Sequence, residues 1–88
     1  MKVILSSQAE KELKKLSKIN QIAIAKKIRG IRDSIKVEGE EKLKGFQDIF
    51  RIRVGDYRIV YRKSKNRVYI VIIRHRKDVY RLVRQLFR

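Results

Sequence analysis

The sequence predicts an α+β fold, a two-helix hairpin packed on an antiparallel sheet, in the order β-α-α-β-β-β-α. Three observations carry this. Apolar residues first recur at helical spacing: Ala9, Leu13 and Leu16, then Ile24, Ile28, Ile31 and Ile35. From Phe50 to Tyr61 they alternate with polar residues on both sides of Gly55-Asp56. The run Val68-Tyr69-Ile70-Val71-Ile72-Ile73 is apolar at every position, as in a central strand covered on both faces.

The elements follow in order. Val3-Ile4-Leu5 reads as a short first strand. Ser7-Gln8-Ala9-Glu10 matches a capping box, with Ser7 as cap and Glu10 reaching back, and predicts a helix over residues 8–17. Ser17-Lys18 interrupts it, and a second helix of about 17 residues starts at Ile19. The two form an antiparallel hairpin. Residues 38–47 read as a loop. Residues 49–54 and 57–62 pair through a two-residue turn at Gly55-Asp56, with Val54 opposite Tyr57, Ile52 opposite Ile59 and Phe50 opposite Tyr61. A four-residue loop at 63–66 then leads into a strand over Arg67–Ile73, pairing Tyr61 with Val68, Ile59 with Ile70 and Tyr57 with Ile72. Asp78 caps a last short helix that buries Val79, Leu82, Val83, Leu86 and Phe87.

One face of this sheet is then wholly apolar and covered by the helices. The other carries Arg51, Arg53 and Arg58, with Arg53 directly across from Arg58 and the groove open to solvent or a ligand. Like charges directly opposite destabilise a sheet. A fold that accepts that penalty points to an anionic ligand, and arginine suits phosphate because its planar fork donates two parallel hydrogen bonds.

The 88 residues make one domain, residues 1–88, with no repeat and no interdomain linker. The chain lacks cysteine, which rules out disulfides and thiolate metal sites and fits a reducing compartment. No apolar run approaches the roughly 18 residues of a membrane span, and Met1–Leu5 is too short for a signal peptide, so a cytoplasmic protein is expected. The net charge is +16, from 25 basic and nine acidic residues. Residues 1–50 hold 12 basic and seven acidic groups, residues 51–88 hold 13 and two. A field this concentrated attracts polyanions, nucleic acid first, and favours an acidic protein partner.

A second basic constellation is Arg74-His75-Arg76-Lys77-Asp78-Val79-Tyr80-Arg81, which holds the only histidine. Histidine and tyrosine each serve in acid–base work on a ribose hydroxyl. Metal-dependent nucleases need clustered carboxylates, and the basic half offers only Asp56 in a turn and Asp78 at a cap. No metal or cofactor is therefore expected. Cleavage of a phosphodiester without metal would use the RNA 2′-hydroxyl as internal nucleophile, with arginines stabilising the charged transition state.

Leu43-Lys44-Gly45, then Phe50 through Tyr61, then Ile73 through Tyr80 together resemble the RelE/ParE toxin superfamily, over essentially the whole chain. The resemblance implies a single RelE-like toxin domain. RelE-type members are ribosome-dependent mRNA interferases that cut the codon in the 30S A site and are held inactive by a cognate antitoxin. It further implies that Arg51 and Arg53 sit where that group places two basic residues, that Arg58 binds the scissile phosphate, that Arg74 helps the leaving group depart, and that Tyr80 orients or deprotonates the 2′-hydroxyl. Some relatives use a histidine in the region of His75. Arg76, Lys77 and Arg81 would add to RNA binding. The implied partners are an acidic RelB-like antitoxin, mRNA and the ribosome.

Two departures stand out. Arginine replaces lysine at Arg51 and Arg53; arginine is a very poor base, which shifts any base role to Tyr80 or His75. Continued alternation would also place Arg74 on the apolar face beside Ile72, so the strand must end or bulge near Ile73 for Arg74 to reach the groove. ParE-type toxins, which poison DNA gyrase and are not nucleases, resemble the chain as well. A non-catalytic RNA-binding module is the third reading.

Overall fold

The computed structural model describes residues 2–34 and 37–78. Strand β1 (Lys2–Leu5) leads into helices α1 (Ser7–Lys15) and α2 (Lys18–Asp33), followed by strands β2 (Glu41–Lys42), β3 (Ile49–Val54), β4 (Tyr57–Lys63) and β5 (Arg67–His75). The five strands form one sheet in the order β1-β5-β4-β3-β2, mixed rather than wholly antiparallel as expected, because β1 runs parallel to β5 while the other pairs are antiparallel. The α+β architecture of the sequence reading holds. The capping of α1, the β4–β5 register, the face of Ile72 and the reading of residues 38–47 change, and the expected final helix after Asp78 lies outside the described residues.

The cap of α1 is Ser6, one residue earlier than expected. Its hydroxyl accepts the Ala9 amide at 2.9 Å and donates to the Val71 carbonyl at 2.6 Å, while its own amide donates to the Ile70 carbonyl at 2.9 Å. The sheet thus positions the cap, and Ser7 becomes the first helical residue. Glu10 pairs instead with Lys14, one turn on, at 3.4 Å. Ser17 caps α2 through the Asn20 amide. The Gln21 side-chain amide donates to the Leu13 and Lys14 carbonyls at 3.1 and 3.2 Å, adding to the Leu16 amide that Leu13 already accepts and closing the helix hairpin.

Ser6 does two jobs, so Ser6→Ala is expected to destabilise the fold by about 1–2 kcal/mol, the usual range for a lost N-cap. Urea unfolding of the two proteins measures it. Equal midpoints would mean that the hydroxyl carries neither bond in solution.

The β3–β4 register is the one read from the sequence: Val54 faces Tyr57, Arg53 faces Arg58, Ile52 faces Ile59 and Phe50 faces Tyr61. Gly55 has φ +59°, the value a type II′ turn requires at its first central position, where glycine carries no steric cost. The β4–β5 register is not the expected one. The Ser64 amide donates to the Arg67 carbonyl at 3.0 Å, closing a tighter turn at Lys65-Asn66 than the four-residue loop expected. Lys63 therefore faces Val68 and Tyr61 faces Ile70. A bulge follows, after which Val60 faces Ile72, Ile59 faces Ile73 and Tyr57 faces His75. The extra residue is Val71, whose carbonyl receives the Ser6 hydroxyl.

The main core lies between the helices and the inner face of the sheet. It contains Ala9, Ile24, Ile28, Ile31, Ile52, Ile59, Tyr61, Val68, Ile70 and Ile73, flanked by Leu13, Leu16, Phe50, Val54 and Tyr57. Ile72, expected on that face, is moved by the bulge to the opposite one. There it joins Leu43, Ile49 and Val60, with Phe46 and Val71 against them, in a second small core. The segment expected to be only a loop supplies Leu43 and Phe46, and also β2, whose Glu41 faces Arg51 and whose Lys42 faces Phe50. Half of the outer face is thus covered, which confines the basic groove to the other half.

Candidate functional site

The uncovered half of the outer face begins with the β3–β4 hairpin. Alternation along β3 turns Ile49, Arg51 and Arg53 to one side, and Ile49 is buried in the outer core. Arg51 and Arg53 continue that side toward the turn. With Arg58 they line a cavity of about 150 Å³, closed by Gly39 and Glu41.

The three arginines are held differently. Arg51 pairs with Glu41 on β2 at 2.7 Å, and this bond holds the exposed Glu41 carboxyl below the usual carboxylate range. Arg53 donates through Nε to the Gly55 carbonyl at 3.1 Å, and Arg58 to the Tyr57 carbonyl at 3.3 Å. Burial pushes the Arg58 guanidinium down from its ordinary value, and the neighbouring charges of Arg53, Arg51 and Arg76 push the same way, against a smaller opposing effect of Glu41. Arg58 is thus the centre of a like-charge cluster, an arrangement that an anion would relieve.

The bulge at Val71 resolves the parity of Arg74. Two buried residues in succession, Ile72 and Ile73, face opposite sides of the sheet, and Arg74 becomes the backbone partner of Arg58. Arg53, Arg58 and Arg74 therefore form one row across β3, β4 and β5. The Arg74 side chain turns to a neighbouring cavity of about 330 Å³, lined among others by Lys11, Glu12, Lys15, Tyr57 and His75. Its Nε donates to the Glu12 carboxylate on α1. The arginine face is thus a row of three flanked by two cavities rather than one groove.

His75 lines the second cavity, not the first. Its ring meets Tyr57 edge-on at 5.8 Å, and its Nδ1 accepts the Lys77 amide at 3.3 Å. The Arg76 amide donates to the Asp56 carbonyl at 2.8 Å, tying the end of β5 to the β3–β4 turn and bringing Arg76 toward Arg58. Tyr80 and Arg81 lie outside the described residues. Among the described residues, no three His, Cys, Asp or Glu groups cluster so as to hold a metal ion.

Two carboxylates went unnoticed in the sequence, Glu41 and Glu12. Glu41 gives no local signal, because its strand has two residues. Glu12 does give one. It shares the buried side of α1 with Ala9, where an ionised group needs partners.

Residues 3–80 match the family model described as the ParE toxin of the type II toxin–antitoxin system parDE. No curated protein matches the chain by sequence. Among solved structures, the isolated RelE toxin of E. coli is 26% identical and superposes with a TM-score of 0.75, covering 98% of each chain. A chain of the RelB–RelE antitoxin–toxin complex of Methanococcus jannaschii is 24% identical, with a TM-score of 0.76 over 90% of this chain and 96% of that one. The YoeB dimer of Staphylococcus aureus is 22% identical, with a TM-score of 0.72 over 85% and 95%. The last two likenesses show the fold. With the family match spanning both helices and the whole arginine row, the chain belongs to the ParE toxin family of type II toxin–antitoxin systems, within the RelE/ParE superfamily.

Proposed function

We propose that this toxin is a metal-independent endoribonuclease that cleaves mRNA in the ribosomal A site. The observation that supports it most is the row Arg53–Arg58–Arg74, whose central guanidinium is both partly desolvated and surrounded by like charge. Such a row binds phosphate, and it stabilises the extra negative charge of a pentacoordinate transition state more than that of the ground state.

In the reaction, the 2′-oxygen attacks the adjacent phosphorus, the P–O5′ bond breaks, and a 2′,3′-cyclic phosphate and a 5′-hydroxyl result. The 2′-hydroxyl gives up a proton and the departing 5′-oxygen gains one. Arg58 holds the non-bridging oxygens, Arg51 and Arg53 hold the phosphate beside it, and Arg74 stabilises the leaving oxygen. Tyr80 positions the nucleophile or takes its proton, with His75 as the second group able to move one. Arg76, Lys77 and Arg81 bind the RNA backbone.

The test is cleavage of mRNA on programmed 70S ribosomes with 5′ ends mapped, using naked mRNA as control. Cuts within the A-site codon, on ribosomes only and lost when the scissile nucleotide is 2′-deoxy, are the expected result. Cleavage of the deoxy-substituted message would sink the 2′-hydroxyl mechanism. The family model matched is that of ParE itself, which favours a second reading, inhibition of DNA gyrase. An inert protein on ribosomes that blocks gyrase supercoiling would establish that reading instead.

The proposed partner is an acidic antitoxin. The +16 chain attracts one, and similar toxins occur in the RelB–RelE complexes of Methanococcus jannaschii and E. coli.

A further inference from the structure

We propose that Glu12 is a positioning residue for Arg74, holding the guanidinium by its Nε and leaving the terminal nitrogens for phosphate. This rests on the role given to Arg74 in the proposed function.

Glu12 is only 9% exposed, on the side of α1 that packs against β5. A carboxylate in such a place needs partners. One oxygen accepts the Ile73 amide at 3.0 Å, across 61 positions of sequence. That amide lies beyond the last β1–β5 pair, Leu5 with Ile70, where β5 keeps β4 on one side but no longer has β1 on the other. The side chain of Glu12 takes the acceptor role that a strand would have had, and its position is thereby set by the backbones of α1 and β5 together.

The second oxygen accepts from Arg74 Nε. Arg74 makes no other side-chain hydrogen bond among the described residues. An arginine gripped at Nε keeps its terminal nitrogens for a ligand and has fewer rotamers to lose on binding it. The charge of Glu12 also has a local purpose. Arg74 stands beside Arg58 in the row, and Lys11 and Lys15 line the same cavity. Without a carboxylate, these like charges would drive the guanidinium away. The edge amide needs only an acceptor, which a neutral amide side chain supplies; Arg74 needs the negative charge.

Glu12→Gln separates these two roles, because glutamine can still accept the Ile73 amide. Two readouts on the full chain test the inference. In ¹H–¹⁵N spectra, the Arg74 Nε–H signal is expected to be distinct and protected from exchange in the parent. It should join the exposed arginine signals in Glu12→Gln, with the Ile73 amide still protected. On ribosomes, Glu12→Gln is expected to cleave roughly 100-fold more slowly, as for a misplaced catalytic group. It should cost nothing further when Arg74 is already alanine. An unchanged Nε–H signal in Glu12→Gln, or an equal loss of rate with and without the Arg74 side chain, would overturn the inference. A parent protein that shows the protected Nε–H but cuts no mRNA would support the grip of Glu12 on Arg74 and overturn the proposed nuclease activity instead.

Discussion

Arg58→Ala is expected to cleave ribosome-bound mRNA about 10²- to 10³-fold more slowly than the parent, the usual cost of removing one preorganised donor from a developing oxyanion. Arg58 is the middle member of the row, with Arg53 its partner on one side and Arg74 on the other, so its loss leaves a gap at the centre of the phosphate site. The fold should not suffer. Arg58 lies under the charges of Arg53, Arg51 and Arg76, and removing it relieves repulsion that the sheet otherwise carries. Among the described residues, the side-chain bond lost is the one to the Tyr57 carbonyl. An unchanged or raised melting temperature should therefore accompany the lost activity. Arg58→Lys should recover only part of the rate, because an ammonium restores the charge but not the fork. Single-turnover cleavage and thermal melts of the three proteins decide it. Parent-like cleavage by Arg58→Ala would remove Arg58 from the mechanism.

The largest effect on stability is expected at Tyr61. Its side chain is 0% exposed, its ring stacks on Phe50 with centroids 6.1 Å apart, and its hydroxyl donates to Glu40. Glu40 also accepts from Lys63 at 2.6 Å, and the Lys63 ammonium lies 4.9 Å from the centre of the Phe50 ring. Tyr61→Ala empties the middle of the core and should cost about 4 kcal/mol, a large part of what holds a domain of this size together. Tyr61→Phe keeps the ring and should cost about 1 kcal/mol, since Glu40 retains Lys63.

The same phenol has a pH signature. Burial, together with the bond to Glu40 and its charge, raises the Tyr61 pKa above its ordinary value of 10.0. The folded state therefore holds this proton more tightly than the unfolded chain does. Its contribution is fully present below about pH 10 and is lost as the pH rises above that. Denaturant unfolding between pH 8 and 11 should show a fall in stability for the parent that is shallower in Tyr61→Phe. Parallel pH profiles for the two proteins would mean that the phenol holds its proton equally in the folded and unfolded states.

Much of the candidate site was legible in the residues. Strict alternation around Gly55-Asp56 sets the pairing of Arg53 with Arg58, because a slip of one residue would turn Ile52 and Ile59 out of the core. Helical spacing likewise chose, as the inner side of α2, Ile24, Ile28 and Ile31, which are buried, together with Ile35, which lies outside the described residues. It could not say how broad that side is. Ile19 is 80% exposed and Ile22 more than half exposed, since whether a flanking apolar position meets the sheet depends on where the helix crosses it.

The pairing of Arg53 with Arg58 and the apolar inner face of that hairpin were determined by the sequence alone. In each case a local pattern leaves one arrangement that buries its apolar set. The position of Arg74 was decided only by the tertiary structure. Val68 through Ile73 are apolar at every place, so either face of β5 can go inward and alternation carries no information about parity. The choice is made by Ser6, 65 positions away, whose hydroxyl takes the carbonyl of the bulged Val71. It is completed by Glu12, which replaces the missing strand edge and takes hold of Arg74. Bonds that join such distant parts of the chain leave no periodic trace, because they depend on which surfaces meet once both cores have formed.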